Sequence, residues 1–279
     1  MKIAVLSGKG GTGKTFVSVN LAVATQNATY IDCDVEEPNG HLFLKPEHIQ
    51  ANPVHTLLPD FNTDKCTGCR KCVDFCRFNA LAFIKGKPKV FPEICHSCGG
   101  CVLVCPAGAV AEHGHPVGRI EHGAFGDVSV VTGVLNLGEA SAVPVIRAAL
   151  AEGLTGERHT VIDCPPGSGC PVLESVSASD YCVLVAEPTA FGLHNLQMVV
   201  EMVRLLKKSC GIVINKMEDP YEPLEGFCRQ SGIRVLCRIP YSETLAKLNA
   251  AAQIAYEHDE SSRVLFDTLL QRIEAEVKL

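Results

Sequence analysis

Eight consecutive residues near the start of the chain, Gly8-Lys9-Gly10-Gly11-Thr12-Gly13-Lys14-Thr15, fit the pattern G-x-x-x-x-G-K-[ST]. Glycines at this spacing let a loop wrap phosphate groups with its N–H groups pointing inward, and the positive end of a following helix adds to that field. In such a loop Lys14 reaches the β- and γ-phosphates of ATP and Thr15 ligates Mg²⁺. Placement is what the motif requires, and it is met: the apolar run Lys2–Leu6 precedes it, and Lys14–Gln26 reads as a helix after it.

A second constellation is made of cysteine. Eight of the 15 cysteines lie between Cys66 and Cys105, as Cys66-x₂-Cys69-x₂-Cys72-x₃-Cys76 and Cys95-x₂-Cys98-x₂-Cys101-x₃-Cys105-Pro106. Two such runs have the spacing of bacterial two-cluster ferredoxins, where the fourth cysteine of each run ligates the cluster of the other. Cys66, Cys69, Cys72 and Cys105 are therefore expected to hold one [4Fe–4S] cluster, and Cys95, Cys98, Cys101 and Cys76 the second. Zinc held by four cysteines usually pairs two C-x₂-C knuckles and has no use for a third close cysteine. Arg77 stands where a proline follows Cys105, which leaves the ligand count intact but changes the loop beside the second cluster. The segment carries net charge +3 over residues 63–112, which offsets the roughly −2 of each loaded cluster more simply than it marks a nucleic-acid site.

The cysteine density sets the organisation. Residues 63–112 read as an inserted module, with residues 1–62 and 113–279 forming the two parts of one α/β domain of ordinary size. Outside the insert, apolar and β-branched runs at Lys2–Leu6, Thr29–Asp32, Val128–Thr132, Thr160–Asp163, Cys182–Ala186, Gly211–Ile214 and Val235–Ile239 alternate with helical stretches near Gly192–Leu206, Ser242–Ala252 and Ser262–Val277. That alternation predicts a mostly parallel sheet with helices on both faces. A 47% apolar chain of 279 residues buries a large core. The net charge of −6 argues against broad nucleic-acid binding,. No apolar run is long enough for a membrane span, and no secretory signal is visible, so thiols or metal-bound cysteines in a cytoplasmic protein are expected.

Lys9, beside the first glycines, resembles the deviant Walker A signature of the MinD/ParA/Mrp superfamily of ATPases. Further motifs resemble that family in the same order. Asp32-Cys33-Asp34-Val35-Glu36-Glu37-Pro38-Asn39 is similar to its first switch, and Val161-Ile162-Asp163-Cys164-Pro165-Pro166-Gly167 to its Walker B strand and second switch. Ile214-Asn215-Lys216 looks like its adenine-reading asparagine and Ile239-Pro240-Tyr241 like the segment packed beside the base. The resemblance implies that Lys9 reaches the partner's phosphates in an ATP-sandwiched homodimer, that Asp34 positions the attacking water, with Asp32 supporting the metal or the switch, and that Asp163 holds a Mg²⁺-bound water. It also implies that Gly167 offers its N–H to the γ-phosphate. With the insert, the chain resembles the MinD-superfamily ATPases that contain a ferredoxin domain, a likeness shared by Gly169-Cys170-Pro171-Val172 and Glu187-Pro188-Thr189.

Other features carry less. Cys164 and Cys170 flank the second switch, where the related nitrogenase iron protein has a cluster ligand, yet a buried or loop thiol is the simpler reading. Cys33, Cys182, Cys210, Cys228 and Cys237 sit on or near apolar runs and read as small core residues. His113-x-His115 falls in a glycine-containing junction and reads as polar loop. The last helical stretch lacks the basic face of a membrane-surface helix and reads as closing the core. The expected function is nucleotide-switched electron transfer between the clusters and a redox partner. The rivals are a cluster carrier or scaffold, weakened by the lack of a paired C-x-x-C near the C-terminal end, and a positioning ATPase that senses redox state.

Overall fold

Strands buried on both faces need apolar side chains at every position, and the runs read from the sequence form the centre of one such sheet in the computed structural model, which describes residues 1–156 and 158–278. The first half of the chain gives β1 (Lys2–Leu6), α1 (Lys14–Ala24), β2 (Thr29–Asp32), α2 (Gly40–Leu44) and β3 (Glu47–Phe61). The cysteine-rich segment follows, with α3 (Lys71–Phe75), β4 (Leu81–Ile84), β5 (Lys87–Val90) and α4 (Gly100–Leu103). Then come β6 (Val110–Phe125), β7 (Val128–Leu135), α5 (Val143–Gly153), β8 (Thr160–Asp163), α6 (Cys170–Ser177) and β9 (Tyr181–Ala186). The chain ends with α7 (Ala190–Leu205), β10 (Ser209–Met217), α8 (Glu222–Ser231), β11 (Val235–Pro240), α9 (Glu243–Ala250), α10 (Ala255–His258) and α11 (Glu260–Val277).

Nine strands form the main sheet in the order β11-β10-β9-β1-β8-β2-β7-β6-β3, while β4 and β5 make a separate hairpin. Pairing is parallel from β11 through to β7 and antiparallel from β7 to β3. Alternation along β1 divides the core: Ala4 and Leu6 face one layer with α5, α6 and α7, and Ile3 and Val5 face the other with α1, α10 and α11. Each face is thus sealed by helices, as a parallel sheet requires. Among the described residues no helix is long and apolar enough to cross a membrane.

Several elements differ from the sequence reading. α1 stops at Ala24 because Gln26 and Asn27 take left-handed backbone (φ 49° and 45°). β7, β9, β10 and β11 run longer than the apolar runs that announced them, and α5, α6 and α8 were not anticipated. The largest difference is the β3–β6 ribbon, paired from Glu47↔Ala124 to Phe61↔Val110. His113 and His115 lie on this ribbon, so the reading of a polar loop there is corrected. The ribbon also frames the cysteine-rich segment more tightly than 63–112: the excursion begins after Phe61 and ends before Val110.

Candidate functional site

The C-terminal ends of β1, β2 and β8 meet beneath a cavity of about 990 Å³. Gly10, Gly11, Gly13, Lys14 and Thr15 line it, as do Asp34, Asn215 and Pro240. Gly13 turns the chain into α1 with φ 90°, and a Cβ there would meet Asn215 Nδ2 at 2.1 Å, so only glycine fits,. A Cβ on Gly8 would meet the Asn195 carbonyl oxygen at 2.5 Å. Asn215 Nδ2 donates to the Thr12 carbonyl (2.7 Å), bracing the loop from beneath. Thr12 Oγ1 is buried with no hydrogen-bond partner among the described residues. A phosphate oxygen is the kind of acceptor that would satisfy it.

Lys14 Nζ lies 2.7 Å from Asp163 Oδ1 and 3.6 Å from Asp34 Oδ2. Burial works against its charge, but Asp163, then Asp32 and Asp34, outweigh burial and raise its pKa,. Asp163 is fully buried, with Oδ1 facing Lys14 and Ser18 and Oδ2 accepting from the Tyr30 hydroxyl at 2.9 Å. Asp32, in register beside it, accepts the backbone N–H groups of Asp34, Asn39 and Gly40 and so shapes the turn after β2. Burial raises its pKa, and the neighbouring Asp163 adds to the rise. Burial likewise pushes Asp34 up to about 6, with Lys14 pulling the other way.

Two expected contacts take different partners. The Gly167 N–H donates to the Ser7 carbonyl at 2.9 Å, and that bond must break before a γ-phosphate could use the group. Lys9 Nζ lies 2.5 Å from Glu187 Oε2 and 5.2 Å from the centroid of Phe191. Glu187 also pairs with Lys216, which donates to the Gly11 carbonyl (each 2.7 Å). Burial raises the Glu187 pKa, but Lys216 and Lys9 reverse this and hold it below its ordinary value. Ser18, Tyr30 and Glu139, which lines the cavity, carry no signal in the sequence because each acts through a partner distant in the chain.

The eight clustered cysteines gather into two cavities. Cys66, Cys69, Cys72 and Cys105 line one, with Phe83 and Ala109; Cys76, Cys95, Cys98 and Cys101 line the other, with Phe75 and His96. The two halves repeat every 29 residues, and the backbone repeats with them: Gly68 and Ser97, Arg70 and Gly99, Asn79 and Gly108 all have positive φ. A side chain of L configuration is therefore tolerated in one half where glycine serves the other. Among the described residues no three His, Cys, Asp or Glu converge on a single metal ion. Thiolates that each bind a different corner of a cubane stand further apart than the ligands of one zinc, so two sets of four cysteines that do not converge on one ion fit a cluster better than zinc,. The Ala109 N–H donates to Cys105 Sγ (3.3 Å), and the Lys71 N–H holds the exposed Cys69 below its ordinary pKa. The Lys71 contact favours the Cys69 thiolate, whereas burial raises the pKa of Cys72, Cys95 and Cys101,.

Of the other cysteines, Cys33, Cys164, Cys182, Cys228 and Cys237 are buried in the two core layers and Cys210 packs half-buried against one. Burial raises the pKa of Cys33 and Cys164. Cys170 is exposed at the first residue of α6.

Comparison with known proteins agrees with this geometry. Residues 3–253 match the CobQ/CobB/MinD/ParA nucleotide binding domain (CbiA). An uncharacterised protein of Methanocaldococcus jannaschii is 31% identical over 221 residues, covering 77% of this chain and 78% of that one. The septum site-determining protein MinD of Pyrococcus horikoshii, solved in complex with Mg-ADP, superposes with TM-score 0.60 at 18% identity, covering 100% of this chain and 98% of that chain. At that identity the likeness is one of fold. A shorter match, 44% identical over 50 residues, links 17% of this chain to 8% of the indolepyruvate oxidoreductase subunit IorA of Pyrococcus horikoshii. A glycine loop turning on Gly13, a buried lysine held by Asp163, and a family match over most of the length agree: the chain belongs to the CobQ/CobB/MinD/ParA family of P-loop ATPases.

Proposed function

We propose that the protein hydrolyses ATP and couples a nucleotide-driven dimer switch to electron transfer through two [4Fe–4S] clusters bound in its cysteine-rich segment. The observation that carries this reading is the division of eight cysteines into two four-cysteine cavities, at the end of a ribbon rooted beside the nucleotide cavity. When bound, the clusters would supply one-electron storage at each cavity. The residues at the nucleotide cavity have the following parts. Gly8, Gly10, Gly11, Thr12 and Gly13 wrap the phosphates, and Lys14 neutralises them. Thr15 and Asp163 would hold Mg²⁺, which would screen the phosphate charge. Asp34 orients the water that attacks the γ-phosphorus, giving ADP and phosphate. Asn215 and Pro240 flank the base. Lys9 leaves Glu187 to reach the phosphates of a second copy, closing a homodimer, and Gly167 exchanges Ser7 for the γ-phosphate.

The test is anaerobic reconstitution followed by EPR of the dithionite-reduced protein, with and without MgATP. A spectrum or potential that shifts with MgATP in the wild type but not in Lys14→Ala supports coupling; identical spectra in all four samples refute it. One observation favours a second reading, a cluster carrier: Cys69 and Cys98, one from each set, are exposed. Iron transfer to an apo-acceptor without nucleotide-dependent spectra would select it.

A further inference from the structure

Tyr30 lies on β2 two residues before Asp32, at a position whose neighbours along the sheet are apolar. Its side chain is fully buried, yet it ends in a hydroxyl, and that hydroxyl has one partner: Asp163 Oδ2 at 2.9 Å. Asp163 Oδ1 is served differently. Lys14 Nζ donates to it, and Ser18 Oγ lies 2.9 Å from both Asp163 Oδ1 and the Lys14 carbonyl, so the single Ser18 proton is shared. Among the described residues, Tyr30 is therefore the one donor on Oδ2 and the one hydroxyl committed to this carboxylate alone. Rotating the carboxylate bends or lengthens the Tyr30 and Lys14 bonds together,.

The same ring bears on the first switch. A Cβ on Gly40 would meet the Tyr30 hydroxyl at 2.1 Å, Cε1 at 2.4 Å and Cζ at 2.5 Å, so α2 begins in direct contact with the phenol. The Gly40 N–H donates to Asp32 Oδ2 at 2.9 Å. One side chain thus touches both the acid at the end of β8 and the segment that follows Asp34.

We infer that Tyr30 is a positioning residue for the metal step of hydrolysis: its phenol fixes the orientation of Asp163 toward Mg²⁺, and its ring makes that orientation depend on where the first switch lies. The inference rests on the reading of Asp163 given above. Tyr30→Phe keeps the ring against Gly40 and removes only the donor; Tyr30→Leu removes both. The Mg²⁺ concentration giving half-maximal ATP hydrolysis is expected to rise about tenfold in both variants, the size set by one lost hydrogen bond to a carboxylate. Affinity for a fluorescent ADP measured in EDTA stays within twofold for Tyr30→Phe, and only Tyr30→Leu lowers the thermal midpoint by many degrees. Where hydrolysis is too slow to follow, the Mg²⁺-dependent tightening of the fluorescent ADP gives the same comparison. A half-saturating Mg²⁺ concentration within twofold of wild type in Tyr30→Phe overturns the inference, as does a shift that tracks thermal stability across the two variants. A wild-type protein whose nucleotide binding ignores Mg²⁺ overturns instead the role of Asp163, and the inference falls with its premise.

Discussion

His115 Nε2 on β6 lies 3.0 Å from Glu139 Oε1, which lines the nucleotide cavity, so the strand leaving the cysteine-rich segment is tied to the wall of the nucleotide site. Backbone contacts reinforce the tie. Asn136 Nδ2 donates to the Pro116 carbonyl, the Asn136 N–H to Val117, and the Leu135 N–H to Val35, next to Asp34. A rearrangement at Asp34 therefore has a backbone-bonded route to β6 through Val35, Leu135, Asn136 and Val117.

This route predicts that coupling can be weakened without losing nucleotide. A partly exposed hydrogen bond contributes about 1 kcal/mol, so His115→Ala alone should reduce, not abolish, the nucleotide-dependent change at the cysteine segment. His115→Ala combined with Asn136→Ala should weaken it further, leaving only the backbone bonds of the route. Hydrogen exchange across residues 110–117, with and without a non-hydrolysable MgATP analogue, reads the effect directly. Undiminished protection changes in the double variant would mean that the signal travels elsewhere.

The crossed division of the cysteines makes a separate prediction. Cys76 follows Cys72 closely in sequence, yet it lines the cavity of Cys95, Cys98 and Cys101. Cys76→Ser should therefore damage the second cluster and spare the one at Cys66, Cys69 and Cys72. After anaerobic reconstitution the wild type should carry about eight irons and this variant about four stable ones. Cys105→Ser should do the reverse. If Cys76→Ser instead destroys the site of its own run, the crossing is wrong.

Glu187 holds Lys9 within its own protomer, and releasing it should favour closure of a dimer. The two lysine contacts, at 2.5 and 2.7 Å, are partly solvated. Pairs of this kind contribute roughly 0–1 kcal/mol each. Glu187→Gln should then lower the ATP concentration needed for half dimerisation by up to about fivefold, and Lys9→Ala should prevent the dimer. Light scattering across an ATP series checks both. A dimer that forms equally well in Lys9→Ala removes the trans role of that lysine.

How much of this was legible depended on burial. The strands that end at Leu6, Asp32 and Asp163 showed in the sequence because helices cover both sheet faces and every position must be apolar. β3 was not legible: most of its side chains are exposed on both faces, so no period-two alternation arises, and Pro53 and Pro59 argue against a strand until its place at the sheet edge is known,. In the site, Lys14 and the cysteines were legible because their spacing is local. Tyr30 was not, because a lone tyrosine in an apolar run reads as core and its partner lies 133 residues away.

Asp34 yields a prediction that sets stability against activity. Its side chain is 18% exposed, and burial pushes its pKa from 3.8 up to about 6, Lys14 only partly offsetting that. The folded chain therefore keeps this proton where the unfolded chain has released it. Stability falls as pH rises from about 4 to about 6, and the full penalty, on the order of 3 kcal/mol, applies above that window. Asp34→Asn removes the buried charge. It should raise the thermal midpoint by several degrees at pH 8, give little gain at pH 4, and reduce ATP hydrolysis more than about a hundredfold. Melting curves at the two pH values, in chelator and without nucleotide, test the sign. An equal gain at both, or a loss at pH 8, would show that Lys14 compensates the buried Asp34 charge fully and that Asp34 carries no stored cost for its place beside the phosphate loop.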